Sequence, residues 1–289
     1  MRATVLKLGG ELIERPDDLA RVASQIARLA ADGPLVVVHG GGRTIDAELA
    51  RKGIPKRAVD GLRITDAATL DVVVSVLAGL MNTRLVAAAA AAGARAVGLT
   101  GADARIGLVE KAPPHRSAAG AVVDLDRVGA PVAAAAPALL VDLAAAGYVP
   151  VVASIGADAA GRLYNVNADT WAAHLAVTLS VARLVFAGGT AGVLDESGRT
   201  IDPLDVDGID RLVATGAANA GMVAKLDACR RAVAGGIADV RIVDGRAPGP
   251  IDDAPGTRIV AGQTGSGLQT SASGRVAPSH RDEPEARSR

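Results

Sequence analysis

What this 289-residue chain lacks narrows its range of activities before any motif is read. It carries a single cysteine, Cys229, so no internal disulfide can staple it, a composition that fits a reducing cytoplasm. The only aromatic residues are Tyr148, Tyr164, Trp171 and Phe186, too few to build a base-stacking surface for single-stranded nucleic acid. Charge of one sign is missing too. Lys plus Arg equals Asp plus Glu at 31 each, so no global basic field exists to hold nucleic acid or an anionic membrane. The stretch from Met1 to Gly10 reads as a short strand ended by glycines rather than a signal peptide, and no apolar run approaches the roughly 20 residues that span a bilayer. The four histidines, His39, His115, His174 and His280, show no metal-ligand spacing. Neither G-x-x-x-x-G-K-[ST] nor G-x-S-x-G occurs, which removes an ordinary P-loop and a hydrolase elbow.

What is present is enough apolar residue, 49%, to bury a substantial core. Short β-rich runs at 4–7, 35–39, 94–99, 148–154, 184–187 and 239–243 alternate with helical patterns at 16–32, 44–52, 66–92, 137–146, 168–180 and 221–235. That alternation predicts an α/β protein with a mainly parallel sheet, and the nearly unbroken apolarity of the strands predicts burial on both faces. Residues 106–136, with Pro113, Pro114 and several glycines, interrupt the pattern. They predict a β-hairpin excursion built on 107–110 and 121–125, either a pocket wall or lid or a plain surface hairpin. After Gly262 the composition turns to Gly, Ser, Pro and mixed charge, so residues 263–289 read as a disordered tail.

Three glycine clusters follow strands: Gly9-Gly10, Gly40-Gly41-Gly42 and Gly188-Gly189. In an open parallel sheet such turns gather along the carboxyl edge, where backbone N–H groups and helix N-termini can converge on an anion. Each taken alone is equally a tight turn. Lys7 lies inside an apolar strand just before Gly9, and burying an ammonium is costly unless an anion neutralises it. It is either a phosphate or carboxylate contact or a snorkelling lysine at a strand end. Lys225 falls at the expected N-terminal turn of a helix, where the dipole disfavours a cation unless a ligand anion is present. Arg63, in a loop ahead of a helix capped by Thr65 or Asp66, either grips a carboxylate with its planar fork or is solvated at the surface. In Asn165-Val166-Asn167-Ala168-Asp169 one polar residue is needed as a helix cap, leaving others for a different task.

Taken in order, Lys7-Leu8-Gly9-Gly10, Val38-His39-Gly40-Gly41-Gly42, Gly61-Leu62-Arg63-Ile64-Thr65-Asp66, Asn165-Val166-Asn167-Ala168-Asp169 and Gly221-Met222-Val223-Ala224-Lys225 resemble the acetylglutamate kinases, a branch of the amino acid kinase family. The resemblance implies an αβα three-layer sandwich around a mainly parallel sheet. It also implies an N-terminal lobe (1–176) for acyl-amino-acid binding and dimerisation and a C-terminal lobe (177–262) for ATP. It assigns catalysis to Lys7, Lys225 and Asp169, with Asp169 holding both lysines. Substrate contacts fall to Gly10, Gly41, Gly42, Arg63 and Asn165, and ATP contacts to Gly9, Gly188, Gly189 and Lys225. No protein metal site is implied, and Mg²⁺ is expected on the nucleotide phosphates. The implied reaction is ATP-dependent phosphorylation of the side-chain carboxylate of N-acetyl-L-glutamate, in arginine biosynthesis. Its nucleophile is already ionised near neutral pH, so alignment and charge neutralisation carry the catalysis and no strong base is needed.

Two departures accompany the resemblance. Relatives commonly carry Thr-Asp or Ser-Asp after the nucleotide-lobe strand, where this chain has Ala187-Gly188-Gly189-Thr190. No helix precedes Lys7, and arginine-inhibited hexamers of the family tend to have one, so the expectation is a cytoplasmic homodimer that arginine does not inhibit. Alternatives are a kinase of N-succinylglutamate, N-acetylaminoadipate or a carrier-protein-linked amino acid, a non-catalytic nucleotide-binding relative, and more remotely a dinucleotide oxidoreductase.

Overall fold

Strands that are apolar at nearly every position need cover on both faces. In the computed structural model, which describes residues 3–132, 137–216, 218 and 220–262, helices supply that cover in two layers. The central sheet has eight strands: β1 (Thr4–Leu8), β2 (Leu35–His39), β3 (Ala96–Thr100), β4 (Val149–Ala153), β5 (Arg183–Gly188), β6 (Leu204–Asp205), β7 (Asp239–Asp244) and β8 (Gly256–Val260). They lie in the order β6-β8-β7-β5-β1-β2-β4-β3, and every pairing is parallel except β7 with β8. The helices are α1 (Pro16–Asp32), α2 (Gly42–Arg51), α3 (Ala67–Val74), α4 (Asn82–Ala91), α5 (Ala138–Ala145), α6 (Ala168–Thr178), α7 (Val206–Ala214) and α8 (Ala220–Ala234).

Side chains alternate across a strand, and that parity sorts the core into two clusters. Leu6, Leu8, Val37, Val151 and Val185 pack with Ile26, Ile45, Val73 and Leu85 from α1 to α4. Val5, Val38, Val152, Leu184 and Phe186 pack with Leu140, Trp171, Ile209 and Leu226 from α5 to α8. The result is the expected αβα sandwich. Lys7 shares the parity of Val5, so its side chain leaves the sheet toward α6 and α8.

Several local expectations need correction. The strand expected at 94–99 is β3, an edge strand half-buried or exposed along its length rather than buried on both faces. The excursion at 106–136 is not a single hairpin of 107–110 with 121–125. Val109–Lys111 pairs with Gly129–Pro131, and His115–Arg116 with Val122–Val123, giving two ladders one beyond the other; residues 133–136 lie outside the described residues. The helix expected at 66–92 is interrupted by a π-helical segment, Ser75–Met81, between α3 and α4. The whole run Ala67–Ala91, 25 residues, is by length and composition long and apolar enough to cross a membrane, against the reading that no such run exists. Asp71 and Arg84 break it as a contiguous apolar string, but helical continuity restores the length. Its inner stripe, including Val73, Leu77, Met81 and Leu85, lies in the core against α1 and the sheet. The tail expected at 263–289 lies outside the described residues.

Candidate active site

Lys7 and Asp169 meet because strand parity and helix capping aim them at one point. Asn167 is the cap of α6, its Oδ1 accepting the N–H groups of Asp169 at 2.9 Å and Thr170 at 3.0 Å. That cap sets Asp169 in the first turn, where the positive end of the helix favours a carboxylate. Lys225 comes from the second turn of α8, one turn further in than expected, and α8 packs along α6. Lys7 Nζ lies 2.7 Å from Asp169 Oδ1, and Lys225 Nζ 3.1 Å from the same oxygen. The Lys225 ammonium also stands 5.4 Å from the centre of the Phe186 ring, a favourable cation–π placement.

All three groups are almost wholly buried, so their protonation reflects a contest between desolvation and neighbouring charge. Burial alone would raise the Asp169 carboxyl, but the two ammonium groups outweigh it and hold the pKa down at about 2. Burial pushes the Lys7 ammonium below its ordinary value, with Lys225 adding to the push and Asp169 resisting it. Burial also opposes the Lys225 charge, yet the field and hydrogen bond of Asp169 prevail and its pKa is raised. Two cations facing one carboxylate leave a positive excess at the floor of a cleft of about 700 Å³.

Every other residue to which the resemblance gives a substrate or nucleotide contact lines this cleft: Gly9, Gly10, Gly41, Gly42, Arg63, Asn165, Gly188 and Gly189. The turns after β1 and β2 touch, so a Cβ on Gly10 would come within 2.9 Å of the Gly41 Cα. Gly41 backs onto the π-helical segment, where a Cβ would lie 2.1 Å from the Met81 sulfur. Behind this turn His39 is fully buried and its pKa is lowered to about 4, so it is neutral at physiological pH. Its Nδ1 lies 3.3 Å from the Gly40 carbonyl, and its Nε2 is 3.0 Å from Asn82 Nδ2, which also donates to the Val151 carbonyl. This buried chain ties the glycine turn to the sheet and to α4.

Arg63 is not a solvated surface residue, since its side chain is 13% exposed. Its Nη2 donates to Asp46 and, at 3.2 Å, to the Gly42 carbonyl. Within the described residues its buried Nη1 has no hydrogen-bond partner, a donor that only an incoming acceptor can satisfy. Asn165 Nδ2 donates to Thr65 Oγ1 at 3.1 Å, and Thr65 Oγ1 donates to the Arg63 carbonyl at 3.2 Å, so the two expected substrate residues are coupled through a fully buried threonine. Asp66, not Thr65, caps α3. The base of the excursion supplies one wall of the cleft at Val128.

Sequence reasoning missed several cleft residues, among them the charged Glu11, Arg43 and Arg246. Glu11 Oε1 accepts the Gly189 N–H at 2.9 Å, and Arg246 Nη2 donates to the Glu11 carbonyl at 3.1 Å. The available signal for Glu11 was an acidic residue directly after Gly9-Gly10 at the start of a short helical turn; Arg246 offered none. A smaller apolar pocket of about 160 Å³, lined by Val193, Leu194, Leu212 and Ala218 among others, shares Thr190 and Met222 with the cleft.

Among the described residues no group of three or more His, Cys, Asp or Glu side chains is arranged to hold a metal ion. The single carboxylate at the cleft floor is engaged by two ammonium groups. A metal therefore fits this site only as an ion carried by phosphate oxygens.

A three-layer α/β fold that gathers uncompensated cations and glycine turns at the carboxyl edge of its sheet defines a protein that handles anionic, phosphate-bearing ligands. Comparison with known proteins narrows that class. Residues 2–244 match the model of the amino acid kinase family. The chain is 40% identical over 260 residues to the acetylglutamate kinase of Solibacter usitatus, covering 90% of this chain and 95% of that protein. It is 42% identical over 250 residues to the acetylglutamate kinase of Sphingopyxis alaskensis, covering 84% and 82%. Among solved structures, smu.665 from Streptococcus mutans UA159 superposes with a TM-score of 0.76 at 24% identity, covering 90% of this chain and 98% of that one, which speaks for the fold. The chain belongs to the amino acid kinase family.

Proposed function

We propose that this protein transfers the γ-phosphoryl group of ATP to the side-chain carboxylate of N-acetyl-L-glutamate, giving the acyl phosphate used in arginine biosynthesis. The observation that carries the reading is the pair of buried ammonium groups on one carboxylate oxygen. An anionic acceptor must approach an anionic triphosphate, and the obstacle is mutual repulsion rather than proton removal. Lys7 and Lys225 lower that barrier by holding positive charge where the transferring group would pass, and Asp169 keeps both in position. The acceptor's α-carboxylate would engage Arg63 through its unpaired Nη1, beside Asn165, while the amides of Gly10, Gly41 and Gly42 border the reacting region. The nucleotide phosphates would lie against Gly9, Gly188, Gly189 and Lys225, with the base in the adjoining apolar pocket. Mg²⁺ carried by the phosphates would neutralise their charge.

On this reading residues 1–176 form the acceptor lobe and 177–262 the nucleotide lobe. The proposal includes a cytoplasmic homodimer insensitive to arginine; a hexamer in light scattering, or potent inhibition by arginine, would refute that part. The central test is a hydroxamate assay with ATP, Mg²⁺ and N-acetyl-L-glutamate as sole acceptor, which is expected to trap the acyl phosphate. Nucleotide binding without hydroxamate would remove the kinase reading. A panel of N-succinylglutamate and N-acetylaminoadipate then reads the acyl and chain-length preference.

A further inference from the structure

The cradle formed by Gly9, Gly188 and Gly189 already faces an anion that the chain itself supplies. Besides accepting the Gly189 N–H, the Glu11 carboxylate is folded back over the strand ends. A Cβ on Gly9 would lie 2.5 Å from both carboxylate oxygens, and one on Gly188 3.3 Å from Oε1. A side chain at Gly9 would push the carboxylate out, and one at Gly188 would crowd it. Its backbone is fixed as well: the Leu12 and Ile13 N–H groups close a tight turn on the carbonyls of Gly9 and Gly10, and Arg246 holds the Glu11 carbonyl. Burial and Asp169 are the larger influences on Lys7 and Lys225, and burial still leaves Lys7 below its ordinary value, but the Glu11 charge adds a smaller pull toward the charged form of both. It reduces the positive excess of the cleft without cancelling it, since Arg63 and Arg246 line the cleft as well. The reduction falls at the strand end where the sequence has Gly188-Gly189 and no carboxylate of its own.

We propose that Glu11 is a placeholder anion that occupies the Gly189 amide in the free protein and leaves it when nucleotide phosphate enters, so that Glu11 sets the affinity for the phosphoryl donor. One N–H cannot serve a carboxylate and a phosphate together, and two anions beside the same ammonium groups repel each other. The ligand's identity rests on the kinase reading above; the direction of the effect follows from charge and geometry alone.

The experiment is calorimetric titration of the full chain, and of its Glu11→Gln and Glu11→Ala variants, with ADP and with the non-hydrolysable AMP-PNP in the presence of Mg²⁺. A second titration uses N-acetyl-L-glutamate. Gln keeps the shape and an acceptor oxygen but loses the charge, while Ala loses both. Nucleotide Kd is expected to fall about tenfold in the Gln variant and at least as far in the Ala variant, as when one charge-assisted hydrogen bond no longer has to be displaced. Kd for the acceptor should fall much less, since among the described residues Glu11 has no hydrogen bond on that side of the cleft, and the melting temperature should hold, a split that a merely structural role for Glu11 would not produce. Unchanged nucleotide affinity overturns the proposal, and so does weaker affinity, which would make Glu11 a direct contact of the bound nucleotide or its metal. No turnover is measured, so nucleotide binding without acyl phosphate would sink the kinase reading and leave this test readable. If the wild-type chain binds no nucleotide but the Ala variant does, the placeholder stands in its strongest form; if neither binds, both ideas fall.

Discussion

Two clusters of charged side chains sit at opposite edges of the same sheet, and they follow different rules. At the amino-terminal ends of β5 and β7, Arg183 bridges Asp239 at 2.6 Å and Asp252 at 2.7 Å, and Arg241 bridges Asp239 at 2.7 Å and Asp253 at 3.5 Å. Arg28 of α1 completes the set between Asp252 and Asp32. Every guanidinium there has two carboxylates. At the carboxyl-terminal ends of β1 and its neighbours, two ammonium groups compete for one oxygen of Asp169. Charge that is fully compensated within the chain ties α1, β5, β7 and the 251–253 turn together. Charge that is under-compensated at the cleft floor leaves binding energy for an anion to collect.

Replacing one member of each cluster should separate these roles, with the larger effect at the cleft. Lys225→Met is expected to lower kcat by about 10²–10³, the loss typical of one preorganised stabilising group, with little change in KM. Its melting temperature should hold or rise, because the remaining Lys7–Asp169 pair is balanced and methionine fills the space. A large loss of stability in this variant would break the comparison. Asp252→Ala should do the reverse. Removing a carboxylate shared by two arginines, themselves about one-third exposed, should destabilise by about 2 kcal/mol, between the values for surface and buried pairs. Chemical denaturation reads that loss, while kcat and KM should stay at wild-type values.

Arg63 belongs to neither extreme, being half-compensated by Asp46 with one donor left over. Arg63→Ala should raise KM for the acceptor by roughly tenfold, one charge-assisted contact, and leave kcat nearly unchanged, since the contact exists before and during transfer. Arg63→Lys should not restore it, because an ammonium lacks the planar fork that binds Asp46 and the ligand together. Steady-state kinetics with the acceptor varied checks both, and a fall in kcat without a rise in KM would reassign the residue.

What could be read from the sequence follows the range over which each residue acts. Lys7 betrayed itself because a charge inside an apolar strand is a local anomaly, and the glycines marked strand ends that the parallel sheet brings to one edge. Asp169 came through the resemblance, because the residues alone left open which of Asn165, Asn167 and Asp169 caps the helix; the cap proves to be Asn167. Glu11 offered a local signal, but its contact did not, since its partner, Gly189, lies 178 residues along the chain and depends on β1 and β5 becoming neighbours. The compensated network was invisible for a similar reason: Arg28 and Asp252 are 224 residues apart, and each alone is an ordinary surface charge. The π-helical segment was hidden because apolar helical periodicity does not distinguish an i+4 from an i+5 bond over one or two turns. The split of the excursion into two ladders depends on pairings between short strands that no hydrophobic alternation announces.

The smallest of the expected effects is that of acid on the carboxylate at the cleft floor. The Asp169 carboxyl is held at about 2 in the folded chain against an ordinary value of 3.8, so as pH falls the unfolded chain takes up the proton first. The stabilisation that Asp169 contributes is complete above its unfolded pKa and is lost as pH falls through the folded value. Between pH 4 and pH 3 that one group should cost about 1 kcal/mol of stability. Asp169→Asn, though less stable at neutral pH with two lysines unpaired, should lack this part of the decline. Denaturation midpoints of the two proteins should therefore converge as pH drops from 4 to 3, and parallel curves would mean that the lysines do not hold the carboxylate ionised.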